Sequence, residues 1–171
     1  MHLVDLVNDD GAVVGAKKRH DIQKLTDLYH TIFTILITPE KQLVLSKVPA
    51  RTDLPNLYVG QLGCTLATIR RHDETSDEAS LRSLENELYL KDITASKLGE
   101  YFQVLPDGQR TYISIYYVIH AVPSDFSHND IEGLQLLTHQ ELVEAMGKSP
   151  DTFAPSFLAA WERFNKDLLK V

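Results

Sequence analysis

The chain has 171 residues, 43% hydrophobic and 24% charged, the size and balance of one soluble domain with its own core. A formal charge of −7 argues against a nucleic-acid surface, which needs a basic stripe to neutralise phosphates, but allows a local basic pocket. The single cysteine, Cys64, permits no internal disulfide or thiolate zinc cluster and points to a reducing cytoplasm, and no apolar run nears the ~20 residues of a membrane span. The start, MHLVDLVNDDG, is strand and turn material without a signal peptide's basic and apolar regions.

Residues 3–7 alternate into NDDG and residues 12–15 resume, with Asp10-Gly11 as a tight-turn signal for a hairpin. KKRHDIQKLTDLY is polar, a linker or short helix. Residues 30–38, HTIFTILIT, are β-branched and aromatic, PEKQ turns them into residues 43–47, and these two runs are expected to pair at the centre of a sheet. Pro49 and Pro55 punctuate a loop over residues 48–57, and residues 58–66 read as another strand. Residues 99–105, a PDG turn and residues 111–122 form a long hairpin, and residues 131–137 a last short strand. Thr138 with Glu141 opens a helix at THQELVEAM. A terminal helix over residues 154–169 carries Phe157, Leu158, Trp161, Phe164 and Leu168 as one apolar stripe, expected to pack on the sheet. No repeat or composition break divides the chain, so residues 1–171 are read as a single domain.

The stretch from Asp73 to Leu90, DETSDEASLRSLENELYL, organises the rest. Thr75 as N-cap and Glu78 three residues on make a capping box, with Asp77 and Glu78 at the positive end of the helix dipole. The pattern predicts a helix over residues 76–88 with Leu81, Leu84 and Leu88 as its buried stripe. Arg82, Ser83, Asn86 and Glu87 share another, polar face. Glu78 and Arg82 are spaced for an i, i+4 pair, and Glu85 points to solvent.

This spacing resembles the Nudix box, G-x5-E-x7-R-E-U-x-E-E-x-G-U, with U a bulky aliphatic residue. Glu74 matches the first glutamate, Arg82 the arginine, and Leu84, Glu87 and Leu90 fall on U, the last E and the final U. Ser83 and Asn86 stand where the family has glutamates, and Tyr89 replaces the second glycine. The opening VDLVNDDGAVVG, the histidine of YHTIFTILI and KQLVLSKVPARTDLPNLY are similar to the branch of the family that contains isopentenyl-diphosphate isomerases and related hydrolases. Between Gly63 and Glu74 the chain exceeds the family pattern, with IRRHD filling the excess. The resemblance implies an α/β (α+β) fold, a Nudix-like α/β/α sandwich around a mixed sheet.

It also implies chemistry. Nudix hydrolases cut a diphosphate linked to another group, with Mg²⁺ or Mn²⁺ held by glutamates of the box helix. Magnesium is a hard octahedral cation that is held by carboxylates, phosphate oxygens and retained waters. By the resemblance Glu87, Glu74 and Arg82 are the catalytic candidates, with Glu87 the remaining family ligand and Glu74 holding the box together through Arg82. Lys47, Arg51, Arg70 and Arg71 are candidates for a diphosphate cradle, the plain alternative being a solvated surface. Asp73 and His72, near the helix start, are candidate replacement metal ligands, with an exposed polar loop as the plain alternative. Ser83 and Asn86 offer neutral oxygens that do not offset a divalent charge, so weak magnesium binding is expected.

The isomerase reading is disfavoured. Cys64 follows Gly63 rather than preceding a G-H-P segment, and TYISIYYVI holds no glutamate, so one half of the proton donor and acceptor pair is missing. His30 matches a family histidine, yet a histidine opening a core strand is ordinarily structural. The expectation is therefore a weak magnesium-dependent hydrolase of a nucleoside-diphosphate-linked or other diphosphate small molecule, in the cytoplasm. A Nudix domain that binds such a ligand without cutting it is the alternative, and a purely structural or interaction domain the third reading.

Overall fold

A computed structural model describes residues 2–50 and 58–171 of the chain. Among these the elements are β1 (Leu3–Val7), β2 (Val13–Lys18), β3 (His30–Ile37), β4 (Gln42–Lys47), β5 (Leu62–Gly63), β6 (Leu66–Ile69), α1 (Ser76–Leu88), β7 (Ser96–Val104), β8 (Arg110–Ile119), β9 (Leu134–Thr138), α2 (His139–Lys148) and α3 (Pro155–Leu168). No helix among the described residues is long and apolar enough to cross a membrane.

Strand β3 is buried at every residue but Thr31, so it needs a layer on each face. Its period of two divides the layers. Leu36 meets Leu84 and Leu88 of α1, with Val44, Leu66 and Val118, and Ile32 joins Ala79 and Tyr116 on the same side. Phe33, Ile35 and Ile37 meet Phe157, Ala160, Trp161 and Leu168 of α3. This is an α/β/α sandwich around a mixed sheet, as the fold class read from the sequence requires. The terminal helix packs on the sheet as expected, with Leu158 and Phe164 only partly buried at its margin.

β3 and β4 do pair near the centre of the sheet as expected, but the longer partner of β3 is β8. The tyrosine- and isoleucine-rich β8 runs parallel to β3 along its whole length, from His30↔Tyr112 to Ile37↔Ile119. β4 pairs with β3 only at Leu36↔Val44 and Ile37↔Leu43, and spends its other edge on β9. The other half of that edge of β3 goes to β6, from Thr31↔Ile69 to Thr34↔Leu66. The two partners diverge and open a fork, which Thr65 closes: the N–H of Leu36 donates to its hydroxyl at 2.8 Å, and the hydroxyl donates to the Val44 carbonyl. For this reason the single strand expected over residues 58–66 is a turn followed by two short strands.

The β1–β2 hairpin forms as expected but runs on through Lys18, and the polar stretch after it holds one 3-10 turn, Arg19–Asp21. Gly11 has φ +81°, and a Cβ there would fall 2.4 Å from the Tyr112 ring, so glycine lets the turn sit against β8. The hairpin reaches the segment before α1 through a Val4↔Arg71 bridge and the His72 N–H donating to the Leu3 carbonyl at 3.0 Å. IRRHD is thus a seam between hairpin and helix.

Candidate functional site

Helix α1 begins and ends where the sequence puts it. The Glu78 N–H donates to the Thr75 hydroxyl at 3.2 Å and the Thr75 N–H to the Glu78 carboxylate at 2.8 Å, a complete capping box. The buried stripe differs: Leu81 is 41% exposed, while Ala79, Ser80, Ser83, Leu84 and Leu88 face the sheet. The small residues let α1 lie close to the sheet, where Ser80 and Thr34 share a hydrogen bond of 2.8 Å.

Arg82 reaches back to Glu74 instead of pairing with Glu78. Its Nε and Nη2 donate to the two Glu74 carboxylate oxygens at 2.6 and 2.9 Å, a bidentate pair. Nη1 and Nη2 donate to the Thr68 hydroxyl and the Ile69 carbonyl at 3.3 and 3.1 Å, and the Arg71 N–H donates to Glu74 at 2.9 Å. Helix, preceding turn and β6 are thereby stitched together. Burial alone would raise the Glu74 carboxyl, but the bonds from Arg82 and the Arg71 N–H outweigh it and hold the group below its ordinary range.

Beside this clamp a cavity of about 420 Å³ follows β6. His2, Arg19, Lys24, Tyr29, Arg71 and Arg82 line it near Ile69. Towards the fork it is lined by Asn86, Glu87 and Asp130, with Ser46, Tyr58 and Cys64. Burial pushes the Cys64 thiol well above its usual range, so it is held protonated. The buried Ser83 hydroxyl donates to Glu87 Oε1 at 3.0 Å from behind. Ser127 joins the two carboxylate-bearing residues, its N–H donating to the Glu87 carbonyl at 2.8 Å and its hydroxyl to Asp130 Oδ2 at 2.6 Å.

Of the candidates read from the sequence, Glu87, Arg82 and Arg71 line the cleft, and Glu74 supports it through Arg82. Asp73 does not line it: its side chain is 86% exposed, at φ 60°, and lies 3.2 Å from His72, which itself bonds Asp5 at 2.6 Å. Neither residue is a ligand beside Glu87, because the seam to β1 turns both away from the cavity. Arg70 points to Asp5, 3.9 Å away, and Lys47 is exposed on β4, so neither lines the cleft. Arg51 lies outside the described residues. His30 is buried beneath the sheet surface, its Nε2 2.7 Å from the Ser114 hydroxyl, and burial, aided by Arg70, lowers its pKa to about 4.

Asp130, Arg19, Lys24 and His2 escaped the sequence reading. Nothing local marks Asp130, which reaches Glu87 only through the turn after β8. His2 and Arg19 were within reach, since the predicted hairpin brings its two ends together, and the Arg19 N–H donates to the His2 carbonyl at 3.3 Å.

Among the described residues, no three of His, Cys, Asp and Glu gather into a group that could hold a metal ion. Glu87, Asp130 and Asn86 line the same cavity and are oxygen-bearing side chains that a hard cation entering it with ligand phosphates and water could meet.

A scan against protein-family models matched none, and a search of curated protein sequences found no match. Solved structures do match. The crystal structure of DR0079 from Deinococcus radiodurans is similar with a TM-score of 0.69 and 21% identity, over 85% of this chain and 89% of that one. A mutT/nudix family protein from Listeria innocua gives 0.59 and 19%, over 84% and 98%. A MutT protein from Methanosarcina mazei Go1 gives 0.61 and 12%, over 82% and 94%. The chain has the Nudix fold.

Proposed function

We propose that this protein is a weak, magnesium-dependent hydrolase of a diphosphate-linked small molecule, acting at the cleft along β6. The observation that carries the reading is the cleft's polarity: cationic side chains line one end, and Glu87 with Asp130 lines the other. Glu87 and Asp130 would hold the metal, which when bound polarises phosphoryl oxygens and lowers the pKa of an attacking water. Ser83 helps to fix the Glu87 carboxylate by donating to Oε1. Asn86 is placed to hydrogen-bond a phosphate oxygen, and Arg71 to accept negative charge from the ligand. Arg82 and Glu74 act as positioning residues, since four hydrogen bonds already commit the guanidinium to Glu74, Thr68 and Ile69.

Neutral Ser83 and Asn86 at two positions of the box support weakness, because fewer carboxylates leave more of the metal's charge for the ligand to neutralise. A cytoplasmic protein acting on a small molecule, without nucleic acid, remains the reading of its context. The second reading, a domain that binds the diphosphate without cutting it, is favoured by the same substitutions. A panel of nucleoside-diphosphate-linked compounds, assayed with Mg²⁺ for released phosphate or mononucleotide, separates the two. Slow turnover that Glu87→Gln abolishes supports the hydrolase. Saturable binding of a compound that is never cut, in wild type as in Glu87→Gln, supports the binding domain.

A further inference from the structure

We infer that the end of the cleft remote from Glu87 is a second anion subsite, where Arg71 and Arg19, with His2 and Tyr29 beside them, take a phosphate group carried by the far end of the ligand. The assignment to the ligand rests on the function proposed above, whereas the subsite itself stands on local structure.

The β1–β2 hairpin builds this end. It sets His2 beside Arg19 through their backbones, and the Val4↔Arg71 bridge brings Arg71 to the same place. Arg19, Lys24, Arg71 and Arg82 therefore converge on one stretch of cavity. Glu74, a carboxylate beside Arg71, is bound through both its oxygens by Arg82 Nε and Nη2. Arg71 Nε is buried and has no hydrogen-bond acceptor. A buried guanidinium N–H without an acceptor is costly, and a phosphate oxygen is the acceptor its geometry suits. The field agrees: burial and then the charges of Arg71 and Arg19 depress the His2 imidazole. Burial and then Arg82 lower the Arg71 guanidinium, with Glu74 opposing. The recess thus gathers several cationic side chains around Arg71, whose buried Nε is the donor there without an acceptor.

This end is also distinct from the Glu87 end. Arg82 and Glu87 are five residues apart on α1, about 7.5 Å of helix rise. That exceeds what the single bridging oxygen of a diphosphate spans. In the proposed binding mode a diphosphate lies at Glu87 and a separate phosphate of the same ligand lies at Arg71.

The test is titration of metal-free protein with inorganic phosphate, followed residue by residue by amide NMR shifts. Saturable shifts should centre on residues 18–20 and 69–72 and spare residues 86–88. Arg71→Gln and Arg19→Gln should each weaken binding about tenfold, and Lys47→Gln should bind as wild type does. Should Arg71→Gln not fold, Arg19→Gln decides. Shifts centred on residues 86–88, none that saturate, or unchanged binding by the arginine variants would overturn the subsite. A second arm compares a nucleoside diphosphate carrying an additional ribose phosphate with its parent. Tighter binding of the former in wild type but not in Arg71→Gln supports a phosphate carried by the ligand, and equal binding overturns that assignment. No turnover enters either arm, so failed hydrolysis with intact phosphate binding refutes the function alone.

Discussion

The two halves of α1 make different kinds of contact. The first half is closed: Thr75, Glu78, Glu74 and Arg82 satisfy one another, and Arg82 spends its donors on groups within fourteen residues of itself. The second half opens onto the cavity with Asn86 and Glu87, and Asp130, from the segment after β8 on the same side of the sheet, lines that cavity too. Structure is therefore encoded locally in this helix, while the chemistry it presents depends on a segment that arrives after β8. The residues that hold the helix, Thr75, Glu78, Glu74 and Arg82, are not the neutral Ser83 and Asn86.

Breaking the closed half should cost the most. Arg82→Ala removes four hydrogen bonds and leaves the Glu74 carboxylate, 13% exposed, without its cation. We predict a loss of about 3 kcal/mol in urea unfolding. Arg82→Lys should recover only part, since an ammonium does not reproduce the fork. Unchanged stability in Arg82→Ala would show that the two halves do not differ in this way.

The open half should respond to rebuilding unequally. Ser83 is 1% exposed and does not line the cleft, so Ser83→Glu buries a carboxylate and should destabilise by about 2 kcal/mol. Asn86 is exposed and lines the cavity, so Asn86→Glu should be nearly neutral in stability and tighten Mg²⁺ binding roughly tenfold. Denaturation and calorimetry together check the pair. Equal tolerance of the two substitutions would mean that both positions face the ligand.

The smallest effect lies at the helix end. Tyr89 stands at φ 57°, a left-handed position, while the Leu84 carbonyl accepts from the N–H groups of both Tyr89 and Leu90. Glycine is at home in that conformation and tyrosine is not. Tyr89→Gly should therefore raise stability by about 1 kcal/mol in the same unfolding assay. A loss on substitution would mean that the half-exposed ring does more than the backbone strain takes away.

These contrasts explain what the sequence could reveal. Caps and periodicity are local, so α1, α2 and the hairpin are legible from a few residues each. The clamp was legible only through the family resemblance, since helical spacing by itself paired Arg82 with Glu78 rather than Glu74. The fork at Thr65 was not, because a hydroxyl completing two strands' bonding looks like any threonine in a strand. Leu81 misled because hydrophobic spacing counts side chains and not the serines that let a helix approach a sheet. Lys47, Arg70 and Asp73 had the right charge near the right motif, but the seam between hairpin and helix decides which way residues 70–73 point. Asp130 was hidden by chain distance alone.

In the proposed function Glu87 and Asp130 form a metal site that a ligand phosphate completes. Calorimetric titration of Mg²⁺ into the protein, with and without inorganic pyrophosphate, tests it most directly. The predicted result is millimolar binding to the protein alone, about −4 kcal/mol. Binding should be markedly tighter with pyrophosphate present, after correction for the pyrophosphate–Mg²⁺ complex, and the gain should vanish in both Glu87→Gln and Asp130→Asn. A micromolar site in the protein alone, or a gain indifferent to both substitutions, would contradict it.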